Sequence, residues 1–250
     1  MPAAERRVPW NSAITEVETD SLRTHGVDQR DLIRDYSYEE TVYFLLLGRR
    51  PTSRERDLLR AVLVAHASHG ITGQSTLAVI GAADCRSGFL HALIAGFSVG
   101  SGVYHQGGLP ATMMLLQKLA RLSEAELAAY VDERLRIGER IMGFGHRFHA
   151  RDPRVEALMD FVREHGFEGP HTRVALRLEE ILRERKGISM NIEAAGGSIL
   201  LDLGFDPAIG HLFIVLGRST MFAAVYLERL AQGRPPFPRI EIMDVLEDEG

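Results

Sequence analysis

From Ser37 onward the chain is a succession of apolar segments with helical spacing, each opened by a capping residue or closed by glycine. No other feature restricts the fold as much. Ser37-Tyr38-Glu39-Glu40 has the form of a helix start, with Ser37 as cap and acids in the first turn; the helix runs through residues 41–47 and stops at Gly48, with Pro51 just beyond. Ser53 reads as the cap of a second helix over residues 54–66, with Leu58, Leu59, Val62 and Leu63 on one face. Residues 75–83 and 87–99 read as further helices, the second nearly all apolar and so expected at the centre. A Met/Leu-rich helix over 110–122 follows, and Ser123 caps a helix over 124–140 with acids early and arginines late, matching the macrodipole. Helices over 154–165, 171–185, 188–203 and 211–231 complete the series, the last interrupted by Gly217-Arg218-Ser219-Thr220. Residues 8–35 are mixed and show little periodicity. Few segments alternate with period two and no repeat is found, so the expectation is an all-α protein.

At 250 residues with 45% apolar and 25% charged side chains, such a chain can bury a sizeable core, as one domain or as a large domain with a small lobe. The net charge of −5 makes no electrostatic case for nucleic acid or an anionic membrane. Cys85 is the only cysteine, which excludes an intramolecular disulfide and a multi-cysteine metal site; a small buried apolar role is expected for it. The first eleven residues lack the apolar core of a signal peptide, and no stretch approaches the roughly 20 uninterrupted apolar residues of a membrane helix. A soluble, cytoplasmic protein is expected.

Residues 141–154 hold two glycines, two histidines, three arginines and an acid in a short non-periodic segment ending at a helix start with Pro153. Glycines permit positive φ or close approach, and a helix start attracts anions. A carbonyl or carboxylate site and a polar helix–helix connector are both open readings. Three other places put reactive side chains beside glycine: His66-Ala67-Ser68-His69-Gly70, Tyr104-His105-Gln106-Gly107-Gly108, and Asn191-Ile192-Glu193 before Gly196-Gly197. Arg218 lies within an apolar helix, where it needs a carboxylate from the protein or from a ligand. Glu193, an acid in apolar company, should have its pKa raised and could serve as a base. His66, His91 and His211 read as ordinary packed or surface histidines, whereas His69, His105 and His146 sit beside glycine at helix ends. His66-x-x-His69 lacks a nearby third ligand, so no metal is expected. No phosphate-binding loop, dinucleotide fingerprint or nucleophile elbow is present.

These motifs in this order resemble the citrate synthases and the related citryl-CoA lyases. Ile141-Met-Gly-Phe-Gly-His146-Arg followed by Asp152-Pro153-Arg154 is similar to the family signature. Ser37-Tyr-Glu-Glu through Gly48-Arg-Arg-Pro51, His69-Gly70 with Ser75-Thr76, Gly102-Val-Tyr-His105-Gln-Gly-Gly108, Asn191-Ile-Glu193 and Leu203-Gly204-Phe-Asp-Pro207 resemble its other motifs. The shortness of the chain is closer to the compact citryl-CoA-lyase-like branch.

The resemblance implies an all-α homodimer, with a large helical domain (residues 1–106 and 205–250) and a small lobe (107–204) closing over a cleft. It implies a C–C bond made or broken between an acyl-CoA and a 2-oxo acid of the oxaloacetate type. His105 would stabilise the enolate of the thioester, His146 would polarise the keto carbonyl, and Glu193 would take the α-proton. His69, Arg154, Arg218 and Arg234 would bind substrate carboxylates. No tightly bound cofactor is implied, coenzyme A entering as a thioester substrate. Four positions depart from the family pattern. Glu193 replaces an aspartate, Ser68 an acid, Ala150 a lysine and Val225 a histidine. The extra methylene at 193 shifts the carboxylate by about 1.5 Å, and Arg147, Arg151 or Arg173 would stand in for the lysine at the CoA phosphates. The alternative is a non-catalytic relative that binds a di- or tricarboxylate or CoA; a helical interaction scaffold would leave the histidines and Arg218 without a role.

Overall fold

The computed structural model describes residues 11–102, 105–146 and 152–233. Among them are eleven α-helices, three short strands and a 3-10 turn at Pro207–Ile209, so the class is all-α as expected. The chain forms two compact units, Met1–Arg60 and Ala61–Gly250.

In the first unit, β1 (Thr15–Val17), β2 (Leu22–Thr24) and β3 (Val27–Asp28) form an antiparallel meander that the sequence did not reveal. The two residues joining β2 to β3, His25 and Gly26, both have positive φ (46° and 79°), as a tight hairpin turn matched to strand twist requires. Histidine at the first of them hid the signal. Asp28 then caps α1 (Gln29–Asp35), its carboxylate accepting from the Arg30 N–H at 2.8 Å. α2 (Tyr38–Leu47) opens with the Ser37–Glu40 capping box and ends at Gly48 in the left-handed region, both as expected. The cap of α3 (Ser53–Ala67) is Thr52, not Ser53. Its hydroxyl accepts from the Glu55 N–H at 3.3 Å, and the Glu55 carboxylate accepts from the Thr52 N–H at 2.8 Å. A capping box needs its acid three residues on, and only Thr52 has one there.

The second unit adds α4 (Gln74–Asp84), α5 (Phe89–Gly100), α6 (Gly108–Leu119), α7 (Glu124–Arg136), α8 (Pro153–Glu164), α9 (Pro170–Lys186), α10 (Ile192–Asp202) and α11 (Gly210–Ala231). α10 is the buried axis, packed by α6, α8 and α9, with every residue from Ala194 to Leu201 buried. Its small residues set the spacing: a Cβ on Gly197 would lie 3.1 Å from Met113 Cγ of α6.

Three expectations fail here. α5 is not central. Ala92, Gly96 and Gly100 face inward against α4 and α11, while Leu90 and Ile94 are 64% and 55% exposed. Its all-round apolarity could not say which face the chain would cover. Cys85 is exposed rather than buried, because it stands where α4 ends. α7 stops at Arg136, since Gly138 turns the chain with φ 71°, and residues 139 and 140 enter a loop. By length and hydropathy alone, Pro207–Ala231 could cross a membrane; in the fold α11 packs against α4, α5 and α6 and carries a buried arginine midway.

Candidate functional site

A cavity of about 1480 Å³ opens within the second unit between the end of α3, the turn before α6, the 138–146 loop, the start of α8, the start of α10 and the middle of α11. His69, His105, His146, Arg154, Glu193 and Arg218 all line it.

Ser75, in the first turn of α4 and fully buried, organises one wall. Its hydroxyl lies 2.8 Å from His105 Nε2 and 3.3 Å from His69 Nε2, and accepts from Gln106 Nε2 at 3.3 Å. One hydroxyl proton serves only one ring, so Ser75 donates to one imidazole and accepts from the other. The two rings are stacked, 5.4 Å between centroids and 14° from parallel. Burial, reinforced by the charges of Arg218 and His105, lowers the pKa of His69 to about 3, so it is neutral. Gly73 makes room for that ring, since a Cβ there would sit 2.6 Å from Nε2.

The glycine loop before His146 is fixed to the start of α10. Gly143 and Gly145 have φ of 86° and 85°. The Gly145 N–H donates to the Ser189 carbonyl at 2.8 Å and the Asn191 N–H to the Gly143 carbonyl at 2.9 Å. Asn191 joins both sides: its Nδ2 donates to the Gly145 carbonyl at 3.1 Å, and its Oδ1 accepts from the Glu193 N–H at 2.9 Å as the cap of α10. The loop of His146 and the helix of Glu193 are thereby held by one side chain.

Asp152, buried at the N-cap of α8, holds Arg154 by three contacts: Oδ1 accepts from its backbone N–H at 3.0 Å and from Nε at 2.9 Å, and Oδ2 from Nη2 at 2.6 Å. Burial pushes the Asp152 carboxyl up, but the Arg154 hydrogen bonds and charge outweigh it and hold it below the usual range. Oδ2 also stands 4.0 Å from His146 Nε2.

Arg218 is 3% exposed, with Nε donating to the His66 carbonyl at 2.8 Å and Nη1 without a partner. No carboxylate pairs with it among the described residues. Burial, with the charge of Arg154, pulls its pKa down to about 10. His66 is a packed histidine as expected: its Nδ1 lies 2.9 Å from the Val62 carbonyl, and burial lowers its pKa to about 4. It also lines the cavity and supplies the carbonyl that holds Arg218. Glu193, in the first turn of α10, lies against Gly108, and burial raises its pKa to about 7 against the opposing charges of Arg140 and Arg154.

The structure thus brings His69, His105, His146, Arg154, Glu193 and Arg218 to one cavity. Arg173 does not line it; exposed at the start of α9, it donates to the Glu168 carbonyl at 2.6 Å. Arg147, Arg151 and Arg234 lie outside the described residues. No group of three or more metal-ligating side chains occurs among the described residues. Ser75, Asn191 and Asp152 stand within the motifs of the sequence but carry no site role there, and Arg140 belongs to none of them. Asp152 before Pro153 is a cap signal that could have marked it; Arg140 was hidden by the extrapolated end of α7.

A buried cation without a carboxylate partner among the described residues, neutral imidazoles and an acid that titrates near neutrality define a site suited to acid–base chemistry on a carboxylate ligand. Residues 48–240 match the family described as "Citrate synthase, C-terminal domain". The chain belongs to the citrate synthase family. It is 29% identical over 202 residues to citrate synthase of Deinococcus radiodurans, covering 78% of this chain and 52% of that protein. The chain spans about half the length of the curated relatives it matches. Among solved structures, citryl-CoA lyase from Hydrogenobacter thermophilus superposes with a TM-score of 0.85 at 29% identity, covering 97% of this chain and 95% of that one. ATP citrate lyase from Methanothrix soehngenii, solved with citrate and coenzyme A, shares the fold, with a TM-score of 0.86 at 18% identity, covering 98% of this chain and 42% of its own.

Proposed function

We propose that the protein makes or cleaves the C–C bond between an acyl-CoA of the acetyl type and a 2-oxo acid of the oxaloacetate type, by enolate chemistry. One observation carries this: the Glu193 carboxyl, poised near neutrality, shares a cavity with Ser75-pinned His105 and a buried Arg218 that no carboxylate among the described residues neutralises.

In the condensing direction, Glu193 takes a proton from the α-carbon of the thioester, and His105 hydrogen-bonds the enolate oxygen that forms. The enolate carbon attacks the keto carbon while His146 delivers a proton to the carbonyl oxygen, which becomes a hydroxyl; free CoA is released only when water then attacks the adduct thioester, giving the carboxylic acid and the thiol. Cleavage runs the same steps backwards: His146 takes the hydroxyl proton, the C–C bond breaks, and Glu193 returns a proton to the enolate carbon. Arg218 holds a substrate carboxylate, with His69, Arg154 and Arg234 completing the anion site; Arg147 and Arg151 meet the CoA phosphates. CoA is a substrate, with no tightly bound cofactor. Residues 107–204 act as the small lobe whose closure excludes water. The chain works as a homodimer, for which the uncovered apolar face of α5 offers a surface.

The test is release of free CoA, or formation of acyl-CoA, across a panel of thioesters with 2-oxo acids or their 3-hydroxy adducts. Turnover lost in Glu193→Gln supports the reading; inactivity with every pair sinks it. Engagement of Arg154 by Asp152 favours a second reading, a non-catalytic carboxylate or CoA binder. Calorimetry showing citrate binding without turnover would favour that one.

A further inference from the structure

The Glu193 carboxylate occupies the space where a side chain at position 108 would begin. A Cβ on Gly108 would lie 2.6 Å from Glu193 Cδ and 2.7 Å from Oε1, far inside any tolerated contact. Gly108 is the first residue of α6, three positions after His105, and α6 has no side-chain cap of its own: its N-cap is Gly107. The longer acid of this chain therefore reaches across from the first turn of α10 to the first turn of α6. The backbone at Gly108 is not in the left-handed region, so conformational freedom does not explain the glycine there. Room for the carboxylate does.

We propose that Gly108 is a positioning residue matched to Glu193: the bare backbone at 108 seats the longer carboxylate beside His105, and any side chain at 108 displaces the base. This deepens the proposed function, since it takes Glu193 as the group that moves the α-proton. A glutamate end is flexible, so an added methyl should push it aside rather than unfold the chain. The displacement is of the size, about 1 Å or more, that costs roughly 100-fold in rate. Shortening the acid by one methylene should vacate the contested space.

The test uses the full chain in four forms: wild type, Gly108→Ala, Glu193→Asp and the double variant. The readouts are CoA-linked turnover, citrate affinity by calorimetry, and the pH midpoint of the residue-193 carboxyl followed by carbon-13 NMR. In Gly108→Ala, kcat is expected to fall about 100-fold. Citrate affinity should stay within about threefold, and the carboxyl midpoint should move by about half a pH unit or more. The double variant should recover about tenfold over Gly108→Ala, a coupling that a merely structural glycine would not produce. Should Gly108→Ala not fold, the double variant should fold and titrate. Wild-type turnover and midpoint in Gly108→Ala overturn the proposal, as does a double variant no better than the product of the single changes, or one that also fails to fold. If the wild type turns over no thioester pair, the functional reading falls, while the NMR midpoint still decides whether the carboxyl is seated at Gly108.

Discussion

Arg154 grips Asp152 with its guanidinium fork, Nε and Nη2 at 2.9 and 2.6 Å from the two carboxylate oxygens, and the Asp152 side chain is wholly removed from solvent. Arg154 is thereby paired inside the protein, whereas buried Arg218 has no carboxylate partner among the described residues. The same Asp152 oxygen faces His146 at 4.0 Å, so the pair links the start of α8 to the histidine of the glycine loop.

Asp152→Asn preserves a capping side chain but removes the charge. It should destabilise the protein by about 1–3 kcal/mol at pH 7, the lower part of the usual range because Arg154 is partly exposed to screening solvent. The folded pKa of Asp152 lies below its unfolded value, so this stabilisation is present above about pH 4 and is lost as pH falls through the folded value. Urea melts of both proteins should differ at pH 7 and draw together as the pH falls below the unfolded carboxylate value.

Glu193 behaves in the opposite sense. Its folded pKa of about 7 lies above the unfolded value, so the folded state pays for the ionised form at high pH and not below about pH 4.5. Stability from this group therefore falls as pH rises from about 4.5 to 7. Glu193→Gln should stabilise the unliganded protein by about 2 kcal/mol at pH 8 and by nothing at pH 4, while abolishing turnover. Melting scans at the two pH values, beside a CoA-release assay, check both halves.

Arg218→Met removes a buried cation that no carboxylate among the described residues neutralises, at the cost of leaving the His66 carbonyl without its donor. These effects oppose each other, so unliganded stability should change by no more than about 1 kcal/mol. Citrate affinity should drop by about 100-fold, measured by calorimetry.

Ser75→Ala deletes the hydroxyl shared by His69, His105 and Gln106 in a fully buried setting. A loss of about 1–3 kcal/mol is expected from a thermal melt, with turnover down roughly 10- to 100-fold as His105 loses its fixed orientation.

Leu90→Glu with Ile94→Glu places two acids on the uncovered face of α5. Sedimentation should show a dimer for the native chain and a monomer for the double variant; a native monomer would remove the dimer from the proposed function.

Local order was readable wherever both partners lie within a turn of each other. Ser37 with Glu40 and Ser123 with Glu126 form the capping boxes their spacing announces, and Gly48 stops α2 in the left-handed region. Even there, Thr52 rather than Ser53 is the cap, because two adjacent hydroxyls compete and only the position of Glu55 decides between them. The site was readable as a set of residue types beside glycine, and six of the expected side chains share the cavity.

The sequence by itself determined the helical class, the glycine-flanked histidines and the presence of an arginine in an apolar helix, since these follow from periodicity and from contacts three or four residues apart. The tertiary structure alone decided which arginine is neutralised, that the Glu193 carboxyl rests on Gly108, that Ser75 joins His69 to His105, and that α5 and Cys85 are exposed. Burial and pairing belong in most of these to groups 30 or 85 residues apart, as with Ser75 and His105 or Gly108 and Glu193; Arg154 and Asp152 are neighbours in the chain, but their burial too depends on what the rest of the chain places over them.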